Sequence, residues 1–221
     1  MMFRDRTHAG TLLAAQRARH AYIRPVILAL PRGGVPVGAE VARALSAPLD
    51  LLLVRKIGHP LHPELALGAI VDGDHPELVI NPDVGGVELD YAAYLETAKS
   101  EALAEIERRR QLYLGGRNPV DVAHGTAVVV DDGIATGATV RAALKALRHR
   151  HPRRIVLAVP VAPADTLDAL RLEVDDVVCL DTPSPFIAVG QFYQDFRQVT
   201  DADVIRLLRT AEEAAGSMSR T

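Results

Sequence analysis

Aromatic residues are scarce in this chain: five Tyr, four Phe and no Trp. Cysteine is scarcer still, with Cys179 the only one. A single thiol excludes an internal disulfide and a multi-cysteine zinc site, and it suits a reducing compartment. Its setting, Val177-Val178-Cys179-Leu180, reads as a buried structural thiol rather than a nucleophile. Long apolar runs are also missing. No stretch approaches the roughly 20 residues that cross a bilayer, and the first 20 residues hold no apolar signal segment. The chain is therefore expected to be cytoplasmic, with no membrane partner. The charge is nearly balanced, 25 Lys+Arg against 28 Asp+Glu, and gives no footprint for nucleic acid. Only three of the basic residues are lysines: Lys56, Lys99 and Lys145. The arginine bias is global, so an arginine carries little information by its type, and a lysine carries more.

What is present is an ordinary folding composition. The 221 residues are 48% hydrophobic and 24% charged, enough for a sizeable core in one domain over 1-221. Short apolar runs at Val26–Leu30, Leu49–Val54, Leu67–Val71, Leu78–Ile80, Ala127–Val130, Ile155–Val161 and Val177–Leu180 read as strands. Several are continuously apolar, as in parallel strands covered on both faces. Helical patterns lie between them, at Asp5–His20, Val35–Leu45, Asp90–Leu114, Ala138–Arg150, Ala164–Leu172 and Asp201–Ala214. This alternation predicts an α/β fold with a doubly wound, mostly parallel sheet. Ligands of such sheets bind beyond the carboxyl ends of the strands.

Residues 72-119 interrupt the alternation. A Gly/Pro/Asp-rich segment leads into a long helix with one apolar stripe, Leu95, Ala98, Ala102 and Ile106, that ends at Gly115-Gly116. The stripe suits a helix packed on one side, either a cap insertion or an ordinary crossover.

The most informative segment is Val128-Val129-Val130-Asp131-Asp132-Gly133-Ile134-Ala135-Thr136-Gly137-Ala138-Thr139. An apolar strand ends in two carboxylates, and a Gly/Thr turn opens a helix. Its glycines permit close backbone approach, and the helix start offers N–H groups to an anion. The threonines add hydroxyl donors. Asp131 and Asp132 stand where vicinal sugar hydroxyls need acceptors. Neither the P-loop Gly-Lys-Ser/Thr nor a G-x-G-x-x-G fingerprint occurs in this segment.

This string resembles the phosphoribosyl-diphosphate (PRPP) motif of the type I phosphoribosyltransferases. The resemblance implies that Asp131 and Asp132 bind the ribose hydroxyls and that Ala135, Thr136, Gly137, Ala138 and Thr139 bind the 5′-phosphate. Purine-salvage members with an aspartate general base carry it where this chain has Ala135.

After the first strand, Leu30-Pro31-Arg32-Gly33-Gly34 combines a Gly-Gly turn with a guanidinium suited to phosphate. In the family this loop binds pyrophosphate, often through a non-proline cis peptide, here Pro31–Arg32. After the second, Arg55 and Lys56 end an apolar run and are expected to face the diphosphate. Arg32 and Lys56 are the candidate catalytic cations, stabilising the departing pyrophosphate. The following segment, with His59, His62 and Glu64 as unassigned acid/base candidates, matches a family loop that closes over the site.

Four of the nine aromatics fall between Phe186 and Phe196. This segment loosely resembles the stretch of hypoxanthine-guanine members that stacks the purine. By that resemblance residues 181-200 form a hood, Phe186 and Tyr193 contact the base, and Asp195 serves the metal side. The segments FRDRTHAG, LPRGG and RKIGHPLHPELALGA extend the resemblance to a bacterial branch of uncharacterised phosphoribosyltransferases. It implies Mg²⁺ as cofactor and PRPP plus a nucleobase or related small molecule as substrates, and leaves a homo-oligomer open. Two other classes remain: a regulatory PRPP or nucleotide binder on the same fold, and a PRPP-independent hydrolase using His59, His62 and Cys179.

Overall fold

The computed structural model describes residues 1–16, 22–60, 66–72, 77–80 and 92–218. A five-stranded parallel sheet forms its centre. Its strands are β1 (Pro25–Ala29), β2 (Leu49–Leu51), β6 (Thr126–Val130), β7 (Arg154–Val161) and β8 (Asp176–Asp181), in the order β2-β1-β6-β7-β8. A second sheet of three antiparallel strands, β3 (Val54–Gly58), β4 (Ala66–Val71) and β5 (Glu77–Ile80), stands beside it. The helices are α1 (Arg6–Gln16), α2 (Gly34–Leu45), α3 (Ala92–Leu114), α4 (Ala138–Arg148), α5 (Ala164–Arg171) and α6 (Asp201–Met218). This is the expected α/β architecture.

The continuous apolar runs have a direct cause. Successive strand residues point to opposite faces, and both faces of the large sheet are covered. Ile27, Ala29, Val128, Val130, Val156 and Ala158 pack with α1, α2 and α6. Their neighbours Val26, Leu28, Ala127, Val129, Ile155 and Leu157 pack with α4 and α5. Alternation in polarity is absent because neither face meets water.

One expected strand is divided. The run Leu49–Val54 contains no glycine or proline, yet β2 ends at Leu51 and β3 begins at Val54 in the other sheet. Leu52 and Leu53 cross between the sheets, each 1% exposed, and they enter opposite core clusters. Burial on both sides of the crossing keeps the sequence apolar, so hydropathy cannot mark the break.

The stripe on α3 is buried as its spacing predicts. Ala102 and Ile106 are core residues, Leu95 and Ala98 are partly buried, and all four join the cluster that includes Ile57, Leu67 and Ile70 of the small sheet. Near its start, the Tyr94 hydroxyl donates to the Gly58 carbonyl at 2.8 Å. Gly115 and Gly116 end the helix in left-handed conformations, φ 58° and 79°.

Candidate active site

Strands β1 and β6 are neighbours, but the chain leaves them in opposite directions, to β2 on one side and to β7 and β8 on the other. A crevice opens at such a switch point. In-register pairing of Ala29 with Val130 brings the loops after both strands out together, and Leu30 N–H donates to the Val130 carbonyl at 2.9 Å. The loop after β1 turns tightly, with Gly34 N–H on the Leu30 carbonyl at 3.0 Å, and the Pro31–Arg32 peptide is cis. A methyl group at Gly33 would stand 2.1 Å from Asp132 Oδ2, and one at Gly34 would stand 2.6 Å from the Val130 carbonyl. The two glycines therefore allow Arg32-Gly33-Gly34 to lie directly against Asp131 and Asp132.

Both carboxyls are pushed above the ordinary aspartate range, in each case chiefly by burial. The charge of Asp132 raises Asp131 further, whereas Arg6 works against the rise at Asp132. Arg6 Nε lies 2.7 Å from Asp132 Oδ2, and the two side chains are only 11% and 14% exposed. The Tyr193 hydroxyl donates to the Asp132 carbonyl at 2.6 Å, which fixes the backbone of the same residue.

The turn after Asp132 leads into α4. Gly133 and Ile134 are buried, while Ala135, Thr136, Ala138 and Thr139 are exposed on the solvent side. Gly137 caps the helix at φ 73°, a left-handed conformation that favours glycine, and supplies no side chain to the first helical N–H groups. These groups, with the two threonine hydroxyls, make a start that suits a phosphate. The Thr166 hydroxyl holds the loop from behind by donating to the Ala135 carbonyl at 3.0 Å.

Two expectations need correction. Arg55 and Lys56 do not end a strand of the parallel sheet; they lie inside β3, exposed, opposite Ile70 and Ala69 of β4. Strand alternation sends neighbouring side chains to opposite faces, so the two cations do not act from one side. Tyr193 is 6% exposed, with its ring centroid 5.3 Å from Phe3 and 5.0 Å from Phe196, and it is a core residue rather than an open stacking surface. Asp195 is held by Arg197, with Nη2 to Oδ2 at 2.6 Å and Nε at 3.0 Å from both oxygens, and this lowers its pKa. Phe186 is partly buried, 5.1 Å from Phe192. His59 follows β3, and His62 and Glu64 lie outside the described residues. The Cys179 thiol donates to the Asp181 carbonyl at 3.2 Å and burial raises its pKa, as suits a structural residue.

Residues 6–196 match the family described as the phosphoribosyl transferase domain. The chain belongs to this family. Over 211 residues it is 46% identical to a Mycobacterium tuberculosis protein named provisionally as a phosphoribosyl transferase, an alignment that covers 95% of this chain. The chain spans 47% of that relative's length. A crystallised protein of Thermus thermophilus has 45% identity and a TM-score of 0.82, with 94% of this chain and 98% of its own covered. A ribose-phosphate pyrophosphokinase of Prochlorococcus marinus is 28% identical over 62% of the chain and 44% of its own length.

In this phosphoribosyl transferase domain the site also contains residues that the sequence did not single out. Arg6 is one. Asp201, at the start of α6, is another: it accepts the Tyr113 hydroxyl at 2.6 Å and stands 3.6 Å from Arg32 Nη1. Burial and this bond raise Tyr113 to about 12. Arg6 lies 126 positions from Asp132, and Tyr113 lies far from Arg32 in sequence, so no local pattern links them. The sole sequence signal is the position of Arg6 within the family-like FRDRTHAG segment. Among the described residues no group of three or more His, Cys, Asp or Glu could form a metal cage, and no helix is long and apolar enough to cross a membrane.

Proposed function

We propose that this domain transfers a 5-phosphoribosyl group from PRPP to a nitrogen nucleophile, with release of pyrophosphate. The observation that carries this reading is the contact of Gly33 with Asp132, which brings a candidate diphosphate loop and a candidate ribose loop to one crevice. In this reading Asp131 and Asp132 accept the ribose 2′- and 3′-hydroxyls. Ala135 to Thr139 hold the 5′-phosphate through backbone N–H groups and the hydroxyls of Thr136 and Thr139. Arg32, Gly33 and Gly34 bind the diphosphate. Lys56, on the small sheet, meets it from the opposite side, with Arg55 as its neighbour on the other face.

The bond from C1′ to the diphosphate oxygen breaks, the bond from C1′ to the acceptor nitrogen forms, and that nitrogen loses its proton. The sugar passes through an oxocarbenium-like state while negative charge gathers on the leaving group. The cations of Arg32 and Lys56 stabilise that charge, and the crevice positions the reactants. The neighbouring carboxylates Asp131 and Asp132 are hard oxygen donors of the kind Mg²⁺ takes together with substrate phosphates. Mg²⁺ bound with PRPP would neutralise charge on the diphosphate. The acceptor is a nucleobase or a related small molecule, with Phe186 as the aromatic contact on the hood side. The chemistry belongs to a small-molecule enzyme of the cytoplasm.

The absence of a carboxylate at Ala135 favours one second reading, a regulatory protein that binds PRPP without transferring it. Radiolabelled PRPP incubated with Mg²⁺ and a panel of nucleobases separates the two. Acceptor-dependent pyrophosphate release supports transfer, whereas binding of PRPP without release supports the regulatory reading.

A further inference from the structure

Arg6 enters the site from the first turn of α1, far in sequence from every loop that forms the crevice. Its guanidinium is used on three sides. Nε donates to Asp132 Oδ2 at 2.7 Å, and Nη1 donates to the Arg197 carbonyl at 2.8 Å. Its carbon centre lies 3.8 Å from the centroid of the Phe196 ring. A planar cation held by a stacked ring and two hydrogen bonds has little freedom to wander. The helix that carries it is itself fixed, since Ala9, Leu13 and Ala14 of α1 are buried. A methyl group at Gly10 would stand 2.7 Å from the Val37 carbonyl, so α1 lies close against α2.

The position of Arg6 matters because of what it touches. Two carboxylates sit side by side at the end of a buried strand, where like charges and lost hydration disfavour ionisation of both. Among the described residues, Arg6 is the cation within ion-pair distance of one of them. Its Nε claims a single oxygen, Oδ2, and Tyr193 fixes the carbonyl of the same residue. The direction of the Asp132 carboxylate is thus set from the N-terminal segment and the 193–197 segment as well as by Asp131 beside it in its own loop.

We propose that Arg6 is a positioning residue for the ribose subsite. It holds the Asp132 carboxylate oriented so that this group accepts a ribose hydroxyl. The inference rests on the assignment of Asp131 and Asp132 to ribose. The hydrogen bonds of Arg6 go to Asp132 and Arg197 rather than to the Arg32 loop, so its loss affects ligands unequally. The opposite role is a plug, in which Arg6 competes with ribose for Asp132 and must leave before sugar binds. The two roles predict opposite signs for the same substitution.

The test is calorimetric binding of ribose 5-phosphate and, separately, of pyrophosphate, both without Mg²⁺. It compares the full chain with Arg6→Ala and Arg6→Lys, after circular dichroism and thermal melting show folded protein. Arg6→Ala is expected to weaken ribose 5-phosphate about 10- to 100-fold, the range of a lost charge-assisted hydrogen bond. Pyrophosphate affinity should change less than about threefold, and Arg6→Lys should recover part of the loss. Unchanged or tighter ribose 5-phosphate binding by Arg6→Ala overturns the proposal, and tighter binding identifies the plug. Equal weakening of both ligands overturns it as well, since that is what a general structural role gives. If Arg6→Ala does not fold, the comparison of Arg6→Lys with the unmodified chain decides between the same outcomes. Failure of the unmodified chain to bind ribose 5-phosphate contradicts the ribose assignment itself, a result distinct from any effect of Arg6.

Discussion

The two sheets of this domain handle their chemistry in different ways. At the switch point of the parallel sheet, functional groups are fixed by backbone contacts: Gly33 against Asp132, Gly34 against Val130, and strands in register beneath them. On the three-stranded sheet, Arg55 and Lys56 stand exposed on β3; the sheet is tied to β1 by the Leu52 N–H bond to the Ala29 carbonyl at 3.0 Å and otherwise held mainly by apolar contacts to α3 and α4 and by the Tyr94 bond to Gly58. One region is organised by contacts within the domain. The other carries its cations on an element placed more by side-chain packing. We therefore expect the candidate ribose and phosphate loops to be the rigid region and the candidate diphosphate cations outside the Arg32 loop to be the adjustable one.

The most severe way to break the comparison is at the carboxylate pair. Asp131→Asn with Asp132→Asn should reduce ribose 5-phosphate affinity at least about 100-fold, since both carboxyl acceptors are lost. Titration calorimetry checks it, and retained affinity would remove the ribose assignment. Gly33→Ala comes next. Its methyl group would stand 2.1 Å from Asp132 Oδ2, so the loop must move. A loss of about 1–3 kcal/mol in stability and weakened binding of both ribose 5-phosphate and pyrophosphate are expected, read by denaturant melts and calorimetry.

Lys56→Ala sharpens the contrast from the other sheet. It should weaken pyrophosphate about tenfold and ribose 5-phosphate less, with little change in stability. Equal losses for the two ligands would take Lys56 away from the leaving-group side. Tyr113→Phe removes the hydroxyl that donates to Asp201, the partner of Arg32. A loss of about 1 kcal/mol in stability and a severalfold fall in pyrophosphate affinity are expected.

The smallest effect concerns pH. Asp131 and Asp132 both have folded-state pKa values above their ordinary aspartate values. The folded state therefore binds protons more tightly than the unfolded chain at these two sites. Their contribution favours the fold below the unfolded pKa and is lost as pH rises through the raised folded values. Asp131→Asn replaces a carboxyl whose ionisation the fold disfavours, so at about pH 7 it should raise the melting temperature of the ligand-free protein by about 2–4 °C while harming binding. A lower melting temperature would contradict the electrostatic account of this pair.

The rigid region is readable in the sequence and the adjustable one much less so. Val128 to Thr139 is contiguous, and its strand, acidic pair, turn and helix follow one another in the chain as they do in space. The same holds for Leu30 to Gly34. Local chemistry and tertiary position coincide there, because a parallel strand delivers its loop to the sheet edge. In the small sheet that link is missing. Leu49–Val54 reads as one strand because both ends and the crossing are buried, and hydropathy therefore places Arg55 and Lys56 at the end of the wrong sheet. Arg6 and Asp201 escape notice for a related reason: each acts through a contact with a residue distant in the chain, with no periodicity to announce it. Tyr193 shows the converse limit. Its aromatic type suggests a base contact, but Phe3 and Phe196 enclose it, and composition does not distinguish a stacking surface from a core.

The central claim is that the loops after β1 and β6 form one phosphoribosyl subsite. It is tested most directly by a crystal structure of the protein grown with Mg²⁺ and a non-hydrolysable PRPP analogue. The account predicts ribose hydroxyls on Asp131 and Asp132, the 5′-phosphate over the Ala135–Thr139 backbone, and the diphosphate at Arg32-Gly33-Gly34. Analogue bound away from this crevice, or a ribose ring that does not meet either carboxylate, would contradict it.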